Sequence, residues 1–237
     1  MSNLWYISPS DQRSNYGVDD YGTEEERMNQ MADAIVPHLE RCGVRFHRAD
    51  RNLPIDDRPA EANAMVATHY VALHSNGGGS RGVEVYYYSA EGLARKFADA
   101  VLALCQKNLR SSNVKQQQGF YELYSPDATA VLIETDYHDH SDGVRFIVDR
   151  MEQIAEAYAK VIVAEDGREW IPAGTAPAVP SDGRYDTDEQ MPAYAQPTIR
   201  KLVDKGMLQG KKDGSLDLSE DMIRMLVIHD RAGLYDN

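Results

Sequence analysis

Four polar positions in the sequence lie at the ends of predicted strands or helices, where the active sites of α/β proteins are usually found. They are the loop Pro9–Gln12, Glu24 at the start of a predicted helix, and His74 and Glu134 at the ends of apolar runs. In an open α/β sheet, ligands collect outside the carboxyl ends of the strands. Imidazole and carboxylate groups at such an edge suit metal binding and general acid–base chemistry.

Each of these residues also has an ordinary structural interpretation. A single histidine at a strand end is often a hydrogen-bonded surface group. Glu24 can stabilise the helix dipole in the same way as its neighbours Glu25 and Glu26. Glu134 is harder to explain, because a carboxylate that ends a buried apolar run must be paired, protonated or bound to a metal. Position alone therefore does not identify a site.

The elements that must position these residues alternate between strand and helix. Thr23 and Glu26 form a capping-box pattern, which predicts that a helix begins here and ends before Gly43. The other patterns predict strands at Leu4–Ile7, Val44–Arg48, Ala67–His74, Val83–Tyr88 and Ala130–Glu134, and helices at Pro59–Met65, around Leu93–Leu104 and, as one long helix, around Ile147–Val161. This alternation favours an α/β sheet covered by helices on both faces.

Two sequence blocks are fairly specific in combination. One is Ala72-Leu73-His74-Ser75-Asn76 followed by Gly82-Val83-Glu84-Val85-Tyr86, and the other is Val131-Leu132-Ile133-Glu134 followed by Tyr137-His138-Asp139. Weaker matches are Ile7-Ser8-Pro9-Ser10, Glu24 with Asn29 and Ala32, and Arg58 with Asn63. From Leu4 to about Val163, the chain resembles the catalytic domain of zinc-dependent N-acetylmuramoyl-L-alanine amidases of type 3, peptidoglycan hydrolases that include phage endolysins.

The resemblance implies a twisted, roughly six-stranded, mostly parallel sheet flanked by helices. It also implies a Zn²⁺ ion held by a histidine in the first loop, by Glu24 and by His74. Where such amidases read Pro-Gly-His, this chain reads Pro9-Ser10-Asp11. The expected first ligand is Asp11, which is in the matching register and offers an ordinary zinc-binding carboxylate. Gln12, which offers only a neutral amide oxygen, is the chemically less favoured alternative. A weak or empty metal site is the third alternative.

The implied reaction is hydrolysis of the amide bond between N-acetylmuramic acid and L-alanine, with Glu134 as the catalytic base. Asn76 and His138 are predicted to contact the substrate. The rival hypothesis is a non-catalytic cell-wall-binding protein with a degenerate amidase fold. A zinc peptidase is disfavoured, because the His-x-x-Glu pair that such enzymes use is absent around His74.

Composition argues against two classes of partner, nucleic acid and the membrane interior. A net charge of −13 and the lack of basic, aromatic-rich stretches argue against nucleic acid. Apolar runs such as Ala130–Ile133 are far shorter than the ~20 residues of a membrane span, which argues against membrane insertion. Met1–Tyr6 lacks a secretory signal pattern. We expect cytoplasmic synthesis, reduced Cys42 and Cys105, and action on peptidoglycan after release by phage or prophage lysis or a similar exit.

The C-terminal part of the chain has a different character. Residues 169–182, which include the Ala- and Pro-rich run Pro172–Pro180, are predicted to link an amidase domain at 1–168 to a small helical domain at 183–237. Helices are predicted at Ala193–Lys205 and Glu220–Arg231. Because so short a segment can bury little core, we expect it to bind the cell wall or to form a homo-oligomer.

Overall fold

The computed structural model describes residues 3–104, 113–173, 183–192 and 195–235. The chain divides into two compact units, residues 1–170 and 171–237. Cys42 is buried and is not in a disulfide. Cys105 and residues 174–182, which make up most of the predicted linker, lie outside the described residues.

The first unit is built on a sheet of six described strands. The sheet order is β2-β1-β3-β6-β4-β5, and every neighbouring pair is parallel except the antiparallel pair of β4 and β6. The strands are β1 (Trp5–Pro9), β2 (Phe46–Arg48), β3 (His69–Asn76), β4 (Glu84–Tyr87), β5 (Asn113–Gln116) and β6 (Thr129–Tyr137). The predicted six-stranded, mostly parallel sheet is confirmed.

Helices flank this sheet. They are α1 (Glu24–Arg41), α2 (Arg58–Ala64), α3 (Glu91–Leu102), α4 (Tyr121–Tyr124), α5 (Ser141–Asp149) and α6 (Met151–Glu165). The predicted capping box begins α1: the Thr23 hydroxyl accepts a hydrogen bond from the Glu26 amide, and the Glu26 carboxylate accepts one from the Thr23 amide. Glu24 is thereby fixed in the first helical turn.

The prediction of a single long helix around residues 147–161 is wrong. The chain forms α5 and α6 instead, and Arg150 between them has non-helical backbone angles, φ −117° and ψ 17°. Its guanidinium donates a hydrogen bond to the Leu104 carbonyl, a contact far away in sequence. This tertiary contact accompanies a break that the apolar periodicity does not reveal.

The two faces of the sheet bury different sets of side chains, because side chains alternate along each strand. On one face, apolar residues of β1, β3 and β6 pack with residues of α2 and α4; the buried cluster comprises Leu4, Tyr6, Ala49, Ala62, Ala67, Tyr70, Ala72, Leu123, Ala130 and Leu132. The alternate residues, including Trp5, Ile7, Val71 and Ile133, are buried on the other face. The β3 and β6 ends are thus held in a rigid core.

The second unit has its own small core. It contains β7 (Arg184–Tyr185), a 3₁₀ turn (Asp188–Gln190), α7 (Gln196–Asp204), β8 (Leu218–Ser219) and α8 (Glu220–Arg231). Both predicted helices are present, although residues 193 and 194 lie outside the described part of the chain. Its buried cluster comprises Tyr185, Met191, Ala195, Ile199, Leu218, Ile223 and Val227. None of the helices in the described ranges is long and apolar enough to cross a membrane.

Candidate active site

Three ionisable side chains form a row across the sheet. His74 of β3 is the register partner of Glu134 of β6, and Glu134 is the partner of Glu84 of β4. Cross-strand partners project from the same face of a sheet, so these side chains are immediate neighbours. The parallel pairing of β3 with β6 brings together His74 and Glu134, which are 60 positions apart in the sequence. Two of the four predicted positions therefore meet.

His74 is held between two carboxylates. Its Nδ1 atom lies 2.9 Å from Glu24 Oε1, and its Nε2 atom lies 2.9 Å from Glu122 Oε2. Burial disfavours the charged imidazole, but the hydrogen bonds to Glu122 and Glu24 outweigh it and raise the pKa of His74 well above its usual value. Burial likewise opposes ionisation of Glu24, yet the hydrogen bond from His74 holds the pKa of Glu24 below its usual value.

Glu122 is a site residue that the sequence analysis missed. It lies on the short helix α4 and is only 5% exposed. Its Oε1 atom accepts hydrogen bonds from Ser8 Oγ at 2.6 Å and from Tyr70 Oη at 2.7 Å, while Oε2 faces His74. A glutamate flanked by aromatic residues in Phe120–Tyr124 is a weak sequence signal, and no spacing connects it to His74.

The first loop contributes Gln12 to the site. Gln12 Nε2 lies 3.4 Å from His74 Nδ1. Asn15 Nδ2 donates to both Gln12 Oε1 and Glu24 Oε2, and so ties the loop to α1. Asp11 is held elsewhere, because its Oδ2 atom accepts a hydrogen bond from the Ile55 amide at 2.9 Å. The structure therefore brings Gln12, and not the chemically favoured Asp11, next to His74 and Glu24.

The site contains three side chains that could together coordinate a divalent cation: Gln12, Glu24 and His74. Among the described residues no group of three or more His, Cys, Asp or Glu side chains is placed to hold a metal ion. Glu122 cannot be the third ligand beside Glu24, because the two carboxylates bind opposite nitrogens of the His74 ring. The Gln12 amide is beside Nδ1, and a half-turn of its terminal torsion would present its oxygen there.

Glu134 carries an unsatisfied buried oxygen beside this donor set. The residue as a whole is partly exposed, but Oε2 is buried and has no hydrogen-bond partner within the described residues. Burial raises the pKa of Glu134 to about 7; His74 opposes this shift, whereas Glu24 and Glu84 add to it. A buried oxygen without a partner indicates a position for a ligand, a water molecule or a metal ion.

Of the two predicted substrate contacts, Asn76 is the last residue of β3 and His138 directly follows β6. Asn76 Nδ2 donates to Glu84 Oε2 at 3.2 Å. His138 is buried; its Nδ1 atom lies 2.9 Å from the Ser75 carbonyl oxygen, and its ring stacks against Tyr21. Both side chains therefore brace the strand that carries His74. Their role in substrate binding stays a prediction.

Solved structures of two N-acetylmuramoyl-L-alanine amidases and of one endolysin share this fold. AmiC2 of Nostoc punctiforme is 22% identical, with a TM-score of 0.62 over 70% of this chain and 98% of that chain. The catalytic domain of CwlV from Bacillus (Paenibacillus) polymyxa var. colistinus is 19% identical, with a TM-score of 0.61 over 70% and 99% of the two chains. The catalytic domain of the CD27L endolysin targeting Clostridia difficile is 18% identical, with a TM-score of 0.53 over 69% and 98%. The class of protein is thus an α/β domain with the amidase fold.

A family model for N-acetylmuramoyl-L-alanine amidases, Amidase_3, matches residues 7–164. The chain belongs to this family, whose enzymes are peptidoglycan amidases. No curated protein matches the chain significantly in sequence. The predicted resemblance to the amidase family is therefore confirmed, whereas zinc dependence and an endolysin origin stay predictions.

Proposed function

We propose that this protein is a zinc-dependent amidase that cleaves the bond between N-acetylmuramic acid and L-alanine in peptidoglycan. The main support is that Gln12, Glu24 and His74 meet around one imidazole nitrogen, with Glu134 on the neighbouring strand. Membership of the amidase family supports the reaction type. The zinc ion and the roles of individual residues are our own assignment.

Gln12, Glu24 and His74 would hold the metal through an amide oxygen, a carboxylate oxygen and Nδ1. When bound, zinc polarises the substrate carbonyl and lowers the pKa of a water molecule toward neutrality. Glu122 would accept the Nε2 hydrogen of His74, so that Nδ1, which faces Glu24 in this structure, could give up its own hydrogen and bind the metal. With one carboxylate and two neutral ligands, the site leaves more positive charge on the ion than two carboxylates would.

Glu134 is proposed to move the proton. Its unpaired oxygen lies at the edge of the donor set, where it can accept a proton from the attacking water. The same carboxyl group then returns the proton to the departing alanine nitrogen, since an amine leaves slowly as an anion. Asn76 and His138 are proposed to line the groove that receives the substrate.

The direct test is digestion of purified peptidoglycan by the purified protein. New N-terminal L-alanine amines are expected, with about one zinc ion per chain by metal analysis and loss of amine release after chelation. Release of reducing sugar ends instead of amines would contradict the proposal. Protein that is free of zinc and sediments with walls without releasing amines would support the non-catalytic wall-binding alternative.

For the C-terminal unit, we propose cell-wall binding or self-association. Support comes from the exposed apolar residues of α8, among them Met222, Met225 and Ile228, on a unit that has its own core. A Met225→Ser/Ile228→Ser variant should lose sedimentation with walls if the first role holds. If the second role holds, size-exclusion chromatography with light scattering should give this variant a lower molar mass than the unsubstituted protein. Action at the wall after lytic release stays a prediction.

A further inference from the structure

The row of site residues continues beyond Glu134 into a polar cluster around Glu84. The Glu84 carboxylate accepts hydrogen bonds from Asn76, Asn113, Lys115 and the Tyr86 hydroxyl. Burial opposes its ionisation, but these donors outweigh it and hold the pKa of Glu84 below its usual value. Glu84 is therefore a fixed negative charge beside Glu134.

Lys115 brings a positive charge to this row. Its Nζ atom lies 2.7 Å from Glu84 Oε1 and 5.6 Å from the centre of the Tyr86 ring. The Lys115 side chain is 46% exposed, in contrast to the 11% exposure of the Glu84 side chain. An ammonium group has several N–H donors, so a half-exposed lysine that pairs with Glu84 can still bind an anion from solvent.

The charges around the site make such an anion contact significant. The carboxylates of Glu24, Glu84, Glu122 and Glu134 outnumber the cationic His74 that lies among them, and they would repel a negatively charged ligand that approaches the row. Arg58, which also lies near the row, is fully buried: one of its terminal nitrogens donates to Ser8 Oγ and the Pro9 carbonyl, and the other has no hydrogen-bond partner within the described residues. Lys115 is thus an exposed cation that directly pairs with a member of the row.

We propose that Lys115 binds a carboxylate on the residue of the peptide stem that directly follows the L-alanine that is released. This inference rests on the proposed amidase function. Strands β6, β4 and β5 are successive neighbours, and at about 4.8 Å per strand Lys115 projects from a strand ~10 Å from the Glu134 strand. Its ammonium group reaches back to Glu84. The Glu84 and Glu134 strands are neighbours about 4.8 Å apart. An extended peptide advances about 3.3–3.6 Å per residue, so the residue after L-alanine comes within reach of this ammonium group.

The test compares two muramyl dipeptides that differ only in a free carboxylate or a carboxamide on the residue after L-alanine. Binding is measured calorimetrically with the full-length Glu134→Gln variant. We expect the carboxylate ligand to bind about tenfold more tightly, the size expected for one charge-assisted hydrogen bond. Adding Lys115→Met should abolish this preference and leave carboxamide binding unchanged, whereas adding Lys115→Arg should keep it.

Controls separate a specific contact from a general charge effect. Lys96→Met removes an exposed lysine that pairs with Glu165, outside the site, and should leave the preference intact. Equal affinities of the two ligands overturn the proposal, as does a preference that survives Lys115→Met. Because binding is measured without turnover, failure of the amidase assignment would appear separately, as an absence of cleavage of either dipeptide by the unsubstituted protein.

Discussion

The Glu122 carboxylate is hydrogen-bonded to the Nε2 atom of His74 at 2.9 Å, although 48 positions separate the two residues. The same carboxylate accepts hydrogen bonds from Ser8 and Tyr70, so its orientation is fixed from three sides. A carboxylate that accepts the second ring hydrogen of a metal-binding histidine orients the ring and raises its basicity. Glu122 is therefore positioned to orient the His74 ring in the candidate metal site.

Replacing Glu122 by Gln should weaken zinc binding by about 10- to 100-fold, because the amide no longer offers a carboxylate to Nε2–H. Zinc affinity is measured by competition with a coloured chelator. Glu152→Gln, an exposed position on α6, is the matched control and should bind zinc normally. Unchanged affinity in the Glu122 variant would show that this carboxylate has only a packing role.

The first metal ligand is decided by comparing Gln12→Ala with Asp11→Ala. The Gln12 variant should lose most of its bound zinc, whereas the Asp11 variant should retain it. Asp11→Ala should instead lower the free energy of unfolding by about 0.5–1.5 kcal/mol, because the Ile55 amide loses its acceptor. Metal analysis and urea unfolding measure the two effects. The opposite pattern of zinc loss would restore the assignment to Asp11.

Glu134→Gln should reduce amine release from peptidoglycan by about 10²- to 10⁴-fold, the usual contribution of a general acid–base group. The amide has nearly the same shape but cannot accept the proton. Zinc content and melting temperature should stay close to those of the unsubstituted protein. Turnover within a few-fold of the original rate would remove Glu134 from the mechanism.

The folding stability of the protein should decrease as the pH is lowered, partly because of His69. This imidazole stacks on Trp5 at a centroid distance of 4.0 Å, and burial lowers its pKa in the folded protein. The unfolded chain therefore takes up the proton first, so stability is complete above the ordinary histidine pKa of about 6.5 and is lost as the pH falls through the lower folded value. His69→Gln should show a shallower decline in unfolding free energy between about pH 7.5 and 5.5. Parallel curves for the two proteins would exclude this contribution.

Gly143→Ala should destabilise the first unit although alanine favours helix. A Cβ atom at residue 143 of α5 would lie 2.2 Å from the Tyr137 carbonyl oxygen, so the helix must move away from the end of β6. We expect a loss of about 1–3 kcal/mol in unfolding free energy. Gly92→Ala on α3 is the control: nothing lies within 4 Å of its Cβ, and it should gain about 0.5–1 kcal/mol. Equal effects at the two positions would contradict the close approach.

Local sequence patterns were sufficient for much of the fold. The capping box at Thr23 and the apolar runs of β3 and β6 predicted the elements that carry Glu24, His74 and Glu134. Strand β5 was missed, because Asn-Val-Lys-Gln is a polar segment at the edge of the sheet and lacks an apolar run. Its pairing with β4, rather than its own pattern, makes it a strand.

Local patterns along the chain were thus enough to identify the family, the alternation of elements and three of the candidate site residues. The folded arrangement was needed to show that Gln12 faces His74 while Asp11 accepts a hydrogen bond from the Ile55 amide, and that Glu122 completes the surroundings of the imidazole. Apolar periodicity and capping could not show this, because they are local properties of the chain. The direction of a loop side chain is set instead by hydrogen-bond partners that are distant in sequence.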